Sequence, residues 1–338
     1  MSYEETVAAA EAVLRRAGVR GSASARYTPL SGGTYNTVVR IELDQGRDWV
    51  LKIPPRAAEG LAYERALLTG EAAFYACAGT ALGVGVVPRV VHRGTGDGAG
   101  TVPYLIMTAC PGTPWNEVKD SLEELERRWL RQELGRVVAR LHAVTGPGFG
   151  YPAEPWGPLA PTWREAFTAM TAAVLDDAER YAAWLPRPLA EIGAVLAAAS
   201  GVLDDVTRPA LVHFDLWQGN LLLVGEPGDR RVGGLIDGER MFWGDPVADF
   251  VSLALFADME DDTAFLAGYA DAGGAVVFDG PVRLRLALYR AYLYLIMLVE
   301  VEPRQAGEAD LTWVRSHVGP QLVAALEDVE SGLRGGCR

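Results

Sequence analysis

Three residues with oxygen-bearing side chains, Asp215, Asn220 and Asp237, fall in the stretch from Leu211 to Asp249. An apolar pair, Leu211 and Val212, precedes Asp215, and a second apolar run, Leu221 to Val224, follows Asn220. A turn rich in Gly, Pro and Asp then leads to a third run that ends in Ile236 and Asp237. Short strands in this order would present Asp, Asn and Asp to one place. A hard divalent cation such as Mg2+ takes oxygen ligands of that kind and keeps waters and substrate phosphates as its remaining ligands. Such a set suits phosphoryl transfer, which asks the protein for an in-line acceptor and for neutralised phosphate charge rather than for covalent chemistry.

Phosphates also need a cation, and the candidate lies far upstream. Val39, Ile41 and Leu43 alternate with Arg40 and Glu42, the pattern of a half-buried strand. The turn Asp44 to Asp48 leads into a return strand, Trp49 to Ile53, that carries Lys52. Ser31, Gly32, Gly33 and Thr34 precede this hairpin. Alone, so short a glycine loop reads as an ordinary turn. With Lys52 on the adjacent strand, it also reads as a loop whose backbone N–H groups cover nucleotide phosphates.

Residues 61 to 77 read as a helix despite Gly70, with Glu64 and Glu71 seven positions apart and therefore on nearly the same face. Residues 4 to 17 read as a surface helix ended by Gly18, and Tyr104 to Thr108 as an apolar strand. Ser121 and Glu124 have the spacing of a capping box, followed by helical periodicity through Leu141. Residues 151 to 207 read as helical, with Trp156, Trp163 and Trp184 as packing aromatics. Residues 250 to 272, 281 to 302 and about 311 to 330 read as three further helices.

His213-x-Asp215-x-x-x-x-Asn220, followed by Ile236-Asp237, resembles the catalytic segment of the aminoglycoside phosphotransferase and choline/fructosamine kinase superfamily. The resemblance implies an α+β, bilobal, protein-kinase-like fold. Residues 1–108 would form a nucleotide-binding N-lobe, a small antiparallel sheet with one helix. Residues 109–338 would form a larger, mainly helical C-lobe that carries catalysis and acceptor binding.

It further implies that Ser31, Gly32, Gly33 and Thr34 cover the phosphates and that Lys52 holds them. Glu71, preferred to Glu64, would pair with Lys52, and Met107 would lie at the base site beside the hinge. Asn220 and Asp237 would hold Mg2+, and Asp215 would align the acceptor hydroxyl. His213 and Asp249 would brace the catalytic loop, and His142 would be structural. Phe214, Trp217 and Gly238 depart from the commoner family pattern.

The implied co-substrate is ATP or GTP. The implied partner is a hydroxyl-bearing small molecule, with cationic antibiotics, sugars and amino alcohols among the candidates. Asp258 to Asp262, Glu300, Glu302, Glu308 and Asp310 offer acids for a cationic acceptor. Charge runs of this kind are more commonly solvated helix starts.

A net charge of −13 argues against nucleic acid, whose phosphates need clustered Lys and Arg. Three scattered cysteines, an acidic N-terminus and no apolar run near ~20 residues fit a cytoplasmic protein with no membrane partner. Two other readings compete. A protein kinase is disfavoured by the absence of H-R-D, D-F-G and A-P-E segments. A nucleotide-binding pseudokinase finds no support, since Lys52, Asp215, Asn220 and Asp237 are all present.

Overall fold

Alternation along three strands sets the architecture of the N-lobe. A computed structural model describes residues 3–21, 24–30, 35–55, 60–83, 85–96, 102–152 and 157–335. Ser31, Gly32, Gly33, Thr34, Trp156 and Cys337 lie outside these.

The chain begins with α1 (Tyr3–Arg16), β1 (Arg26–Pro29), β2 (Thr37–Leu43) and β3 (Arg47–Ile53). α2 (Leu67–Leu82), β4 (Val90–Gly94) and β5 (Tyr104–Thr108) follow. The strands form one antiparallel sheet in the order β1-β2-β3-β5-β4. Val39, Ile41, Leu51, Ile53 and Ile106 point to one face, where α1 buries Ala10, Val13 and Leu14 against them. The period of two then sends Val50, Lys52, Leu105 and Met107 to the opposite face, towards α2 and the C-lobe.

β6 (Thr113–Pro114), α3 (Trp115–Val118), α4 (Glu124–His142), α5 (Trp163–Arg180) and α6 (Leu189–Ala198) open the C-lobe. β7 (Ala210–Val212), β8 (Leu221–Val224), β9 (Arg231–Leu235) and β10 (Phe242–Gly244) frame the segment that carries Asp215, Asn220 and Asp237. β8 pairs with β6 and β9, and β7 pairs with β10. Then come α7 (Asp249–Leu253), α8 (Thr263–Asp271), α9 (Gly280–Val299), α10 (Glu308–Trp313) and α11 (Gly319–Gly335). α9 is buried around most of its circumference from Leu286 to Val299, so it forms the axis of the C-lobe core. Among the described residues no helix is long and apolar enough to cross a membrane.

Two local expectations are corrected. Ser121 does not cap α4. It lies in the preceding 3-10 turn, donates to the Val118 carbonyl and accepts from Arg230, and the helix starts at Glu124 without a side-chain cap. Residues 250–272 are two helices, not one. The chain leaves α7 at Ala254, Phe256 turns at φ 63°, and the side chains of Asp258 and Asp262 accept from Glu260 N and Phe265 N to start new turns. Local Asp-to-backbone bonds outcompete helix continuation there.

Candidate active site

The loop that carries Asp215 runs from β7 to β8 and is fixed by one buried carboxylate. Asp249, at the start of α7, is fully buried. Its oxygens accept from the backbone N–H of His213 (3.1 Å) and of Phe214 (2.6 Å). His142 Nε2 lies 2.9 Å from Asp249 Oδ2, and its Nδ1 lies 2.9 Å from Tyr269 OH. The structural part assigned to His142 follows from these contacts.

Phe214 sits at φ 64°, a conformation that glycine adopts freely and a bulky side chain resists at a cost of about 1–2 kcal/mol. Its ring compensates by packing 5.1 Å from Phe242 and 5.7 Å from Tyr292, centroid to centroid. This explains how the chain tolerates phenylalanine at that point.

His213 spans the two halves of the site. Its Nδ1 accepts from Asp215 N at 3.2 Å, so its Nε2 is the donor to the Ile236 carbonyl at 3.0 Å. The Asn220 carbonyl accepts from Ile236 N at 3.0 Å. Two hydrogen bonds thus set Asp215 and Asn220 against the turn that carries Asp237. The Asn220 amide nitrogen donates to the Asp215 backbone oxygen (2.8 Å) and to Asp215 Oδ2 (3.0 Å). That orientation leaves Asn220 Oδ1 for a cation.

Asp237 adopts φ 65° and ψ 43°, a left-handed conformation that Asp tolerates better than most residues. Gly238 follows because a Cβ there would come within 2.2 Å of the Phe74 ring. On the same contact, a Cβ at Gly70 would stand 3.1 Å from the Glu239 carbonyl. α2 therefore presses on the Asp237 turn with its backbone close in. This gives a physical reason both for a glycine inside α2 and for the departure at Gly238.

Lys52 Nζ lies 2.8 Å from Glu71 Oε1 and 3.5 Å from Glu239 Oε2, and it also bonds Asp237 Oδ1. Glu64 does not reach it. That acid lies in the 3-10 turn before α2 and pairs with Arg304 at 2.5 Å. Met107 is buried within β5, between Val50 of β3 and Val90 of β4. Lys52, Asp215, Asn220 and Asp237 line one cleft, together with Tyr35, Asn36 and Trp217.

Burial dominates the electrostatics. It pushes the Asp215 carboxyl above the usual Asp range, with the Arg240 guanidinium acting in the opposite sense. Burial pushes Glu239 up to about 8, helped by the charge of Asp237. Burial alone would lower Lys52, but Asp237, Glu71 and Glu239 outweigh it and keep the ammonium charged. Burial opposes ionisation of Asp237 as well, yet Lys52 beside it holds its pKa below the usual value.

Several participants escaped the sequence reading. Tyr75, one helical turn beyond Glu71, donates to Glu71 Oε1 (2.6 Å) and accepts from Asp237 N (2.9 Å). The i, i+4 spacing from Glu71 was its only signal. Asn36 Nδ2 donates to Glu239 Oε2 at 2.8 Å, across 203 positions of sequence. Tyr75→Phe would leave Asp237 N without that acceptor and Glu71 with one donor fewer. At about 1 kcal/mol for each lost bond, we expect affinity for any nucleotide bound at this site to weaken by up to roughly thirtyfold with turnover less affected, checked by nucleotide titration and steady-state kinetics of the variant.

A family model described as a phosphotransferase enzyme family matches residues 26–289. The chain is also similar to a candidate fructosamine-3-kinase from Thermobifida fusca YX-ER1. That crystal structure is 21% identical, with 92% of this chain and 93% of that one covered and a TM-score of 0.62. A thermostable variant of an aminoglycoside phosphotransferase, in ternary complex with ADP and hygromycin B, is 18% identical. The match covers 97% of this chain and 98% of that one, with a TM-score of 0.56. A microcompartment-associated aminopropanol kinase is 19% identical, with 96% of this chain and 98% of that one covered and a TM-score of 0.58.

Proposed function

The chain belongs to the phosphotransferase enzyme family, a transferase that phosphorylates a hydroxyl of a small molecule, and we propose that it moves the γ-phosphate of ATP or GTP. The observation that carries this reading is the convergence of Lys52, Asp215, Asn220 and Asp237 on one cleft. We assign nucleotide binding to residues 1–108, including Ser31 to Thr34 and the Met107 strand, and catalysis to residues 109–338.

In this reading Lys52, held by Glu71, is the point charge for the inner phosphates. Asn220 and Asp237 provide a neutral oxygen and a carboxylate, a donor pair suited to Mg2+. When bound, the ion supplies neutralisation of phosphate charge. Lys52 already bonds Asp237, so cation binding would share that carboxylate between two charges. Asp215 accepts a hydrogen bond from the acceptor hydroxyl and points its lone pair at the phosphorus. In a loose transition state the proton departs late, so alignment weighs more than basicity.

The acceptor is a hydroxyl-bearing small molecule. A cationic antibiotic such as an aminoglycoside is one reading, and a sugar or amino alcohol is the other. The test is nucleoside diphosphate release with ATP or GTP over a panel of aminoglycosides, macrolides, sugars and amino alcohols. We expect one class to raise release at least tenfold above the acceptor-free rate, with chelation by EDTA returning it to background. Turnover that persists fully in EDTA would overturn the metal assignment. Phosphorylation of a protein and of none of these compounds would overturn the substrate class.

A further inference from the structure

Of the acids that could recognise a polycationic acceptor, four that lie away from the cleft already pair with arginines. Asp258 pairs with Arg290 at 3.2 Å, Glu260 with Arg283 at 2.8 Å and Asp262 with Arg131 at 2.6 Å. Glu302 faces Arg315 at 3.6 Å. Of the acids named for this purpose, only Glu300 lines the cleft that holds Asp215. Both Arg240 and Arg304 stand 2.9 Å from its Oε2, and Arg304 also binds the buried Glu64 at 2.5 Å. The charge of Glu300 is thus met by two guanidiniums on that wall, one of them shared with Glu64.

The remainder of the wall beyond Asp215 is apolar. Leu255 follows α7, and Leu293 and Met297 lie four apart on one face of α9. Trp217, 41% exposed, stands in the catalytic loop two positions after Asp215. Ser252, the hydroxyl on this side, is already engaged, donating to the Asp249 carbonyl and accepting from Leu216 N. An ammonium placed against this wall would meet arginines and hydrocarbon and lose hydration, and among the described residues the carboxylate on that wall, Glu300, is already paired.

We propose that the acceptor is an uncharged hydroxyl compound with an apolar flank. Its hydroxyl reaches Asp215, and its hydrocarbon face lies on Leu255, Leu293, Met297 and Trp217. This rests on the phosphotransferase reading and narrows its substrate class.

The test is isothermal titration of the full chain, saturated with Mg2+ and a non-hydrolysable ATP analogue. The probes are methyl, butyl and hexyl β-D-glucoside, with kanamycin as polycation. Each added methylene should tighten binding by about threefold, the yield expected from burying one CH2 group. Kanamycin should bind at least tenfold more weakly than the hexyl glucoside. Leu293→Asp should flatten the chain-length series, and Met297→Asp serves the same purpose if the first variant fails to fold. A flat series with the native protein, no glucoside binding, or kanamycin binding more tightly than the hexyl glucoside would each overturn the proposal. The Mg2+ dependence of nucleotide-analogue binding is measured separately. Its failure alongside an intact chain-length series would remove the metal–nucleotide assignment and leave the apolar wall as a ligand site.

Discussion

Asp215→Asn is expected to lower kcat by about 10²–10⁴-fold, the range for losing a positioned proton acceptor, while Mg–nucleotide affinity changes by less than about threefold. The two effects separate because Asp215 touches neither Lys52 nor Asp237. Asn220 donates to its carboxylate at 3.0 Å, and His213 Nδ1 takes its backbone N–H. Asparagine keeps an oxygen for the Asn220 contact and has nearly the same volume, so the loop should hold its shape. What disappears is the negative acceptor for the substrate hydroxyl. Asp215→Asn with near-native turnover on the true acceptor would remove the residue from its role.

The same carboxylate predicts a pH dependence. Burial raises the Asp215 pKa and Arg240 lowers it. With Asp215 in the proposed role its ionised form is the active one, so kcat/KM should fall as pH drops through this raised value, above the position of an unperturbed Asp near 3.9. Replacing Arg240 with glutamine removes the opposing cation, which moves that acid limb to still higher pH. A pH profile of kcat/KM for both proteins reads the shift directly, and an acid limb that moved downwards would contradict the assignment.

How much of this was legible beforehand depended on whether the signal was local. Asp215, Asn220 and Asp237 lie close together in sequence between short apolar runs, so their convergence could be read from spacing. Lys52 was legible because strand alternation fixes its face. The choice between Glu64 and Glu71 had no periodic answer. One continuous helix would put both on one face, but the chain changes from a 3-10 turn to α2 at Leu67, and only Glu71 is carried to Lys52. Contacts across long loops were illegible for the same reason. Arg304 stands four residues after Glu300, but nothing near Glu300 in sequence announces that Arg240 also pairs with it or that Arg304 reaches back to Glu64. The acidic run Asp258 to Asp262 offered ammonium recognition by composition alone, whereas its geometry shows backbone caps and ion pairs to Arg290, Arg283 and Arg131.

Asp249→Ala should cost the fold about 3–5 kcal/mol, the range for removing one partner of a buried charged network. The residue is fully buried and its two oxygens serve three donor groups: the N–H of His213, the N–H of Phe214 and the His142 imidazole. Alanine leaves those donors facing hydrocarbon, and each unsatisfied buried donor costs about 1–3 kcal/mol. The effect should not stop at stability. Phe214 holds its left-handed backbone against its own Cβ, and the Asp249 bond to its N–H, together with the packing of its ring, opposes relaxation. Releasing that N–H would let Phe214 leave φ 64° and carry Asp215 out of line with the phosphate, so residual folded protein should also turn over slowly. Asp249→Asn is the discriminating partner, because its amide group offers one acceptor oxygen in place of two and turns an NH2 towards existing donors. It should recover only a small part of the loss. Denaturant unfolding of both variants gives the stability, and kcat measured well below the new unfolding midpoint gives the alignment. A variant losing less than about 1 kcal/mol would show that the loop is held by something other than this carboxylate.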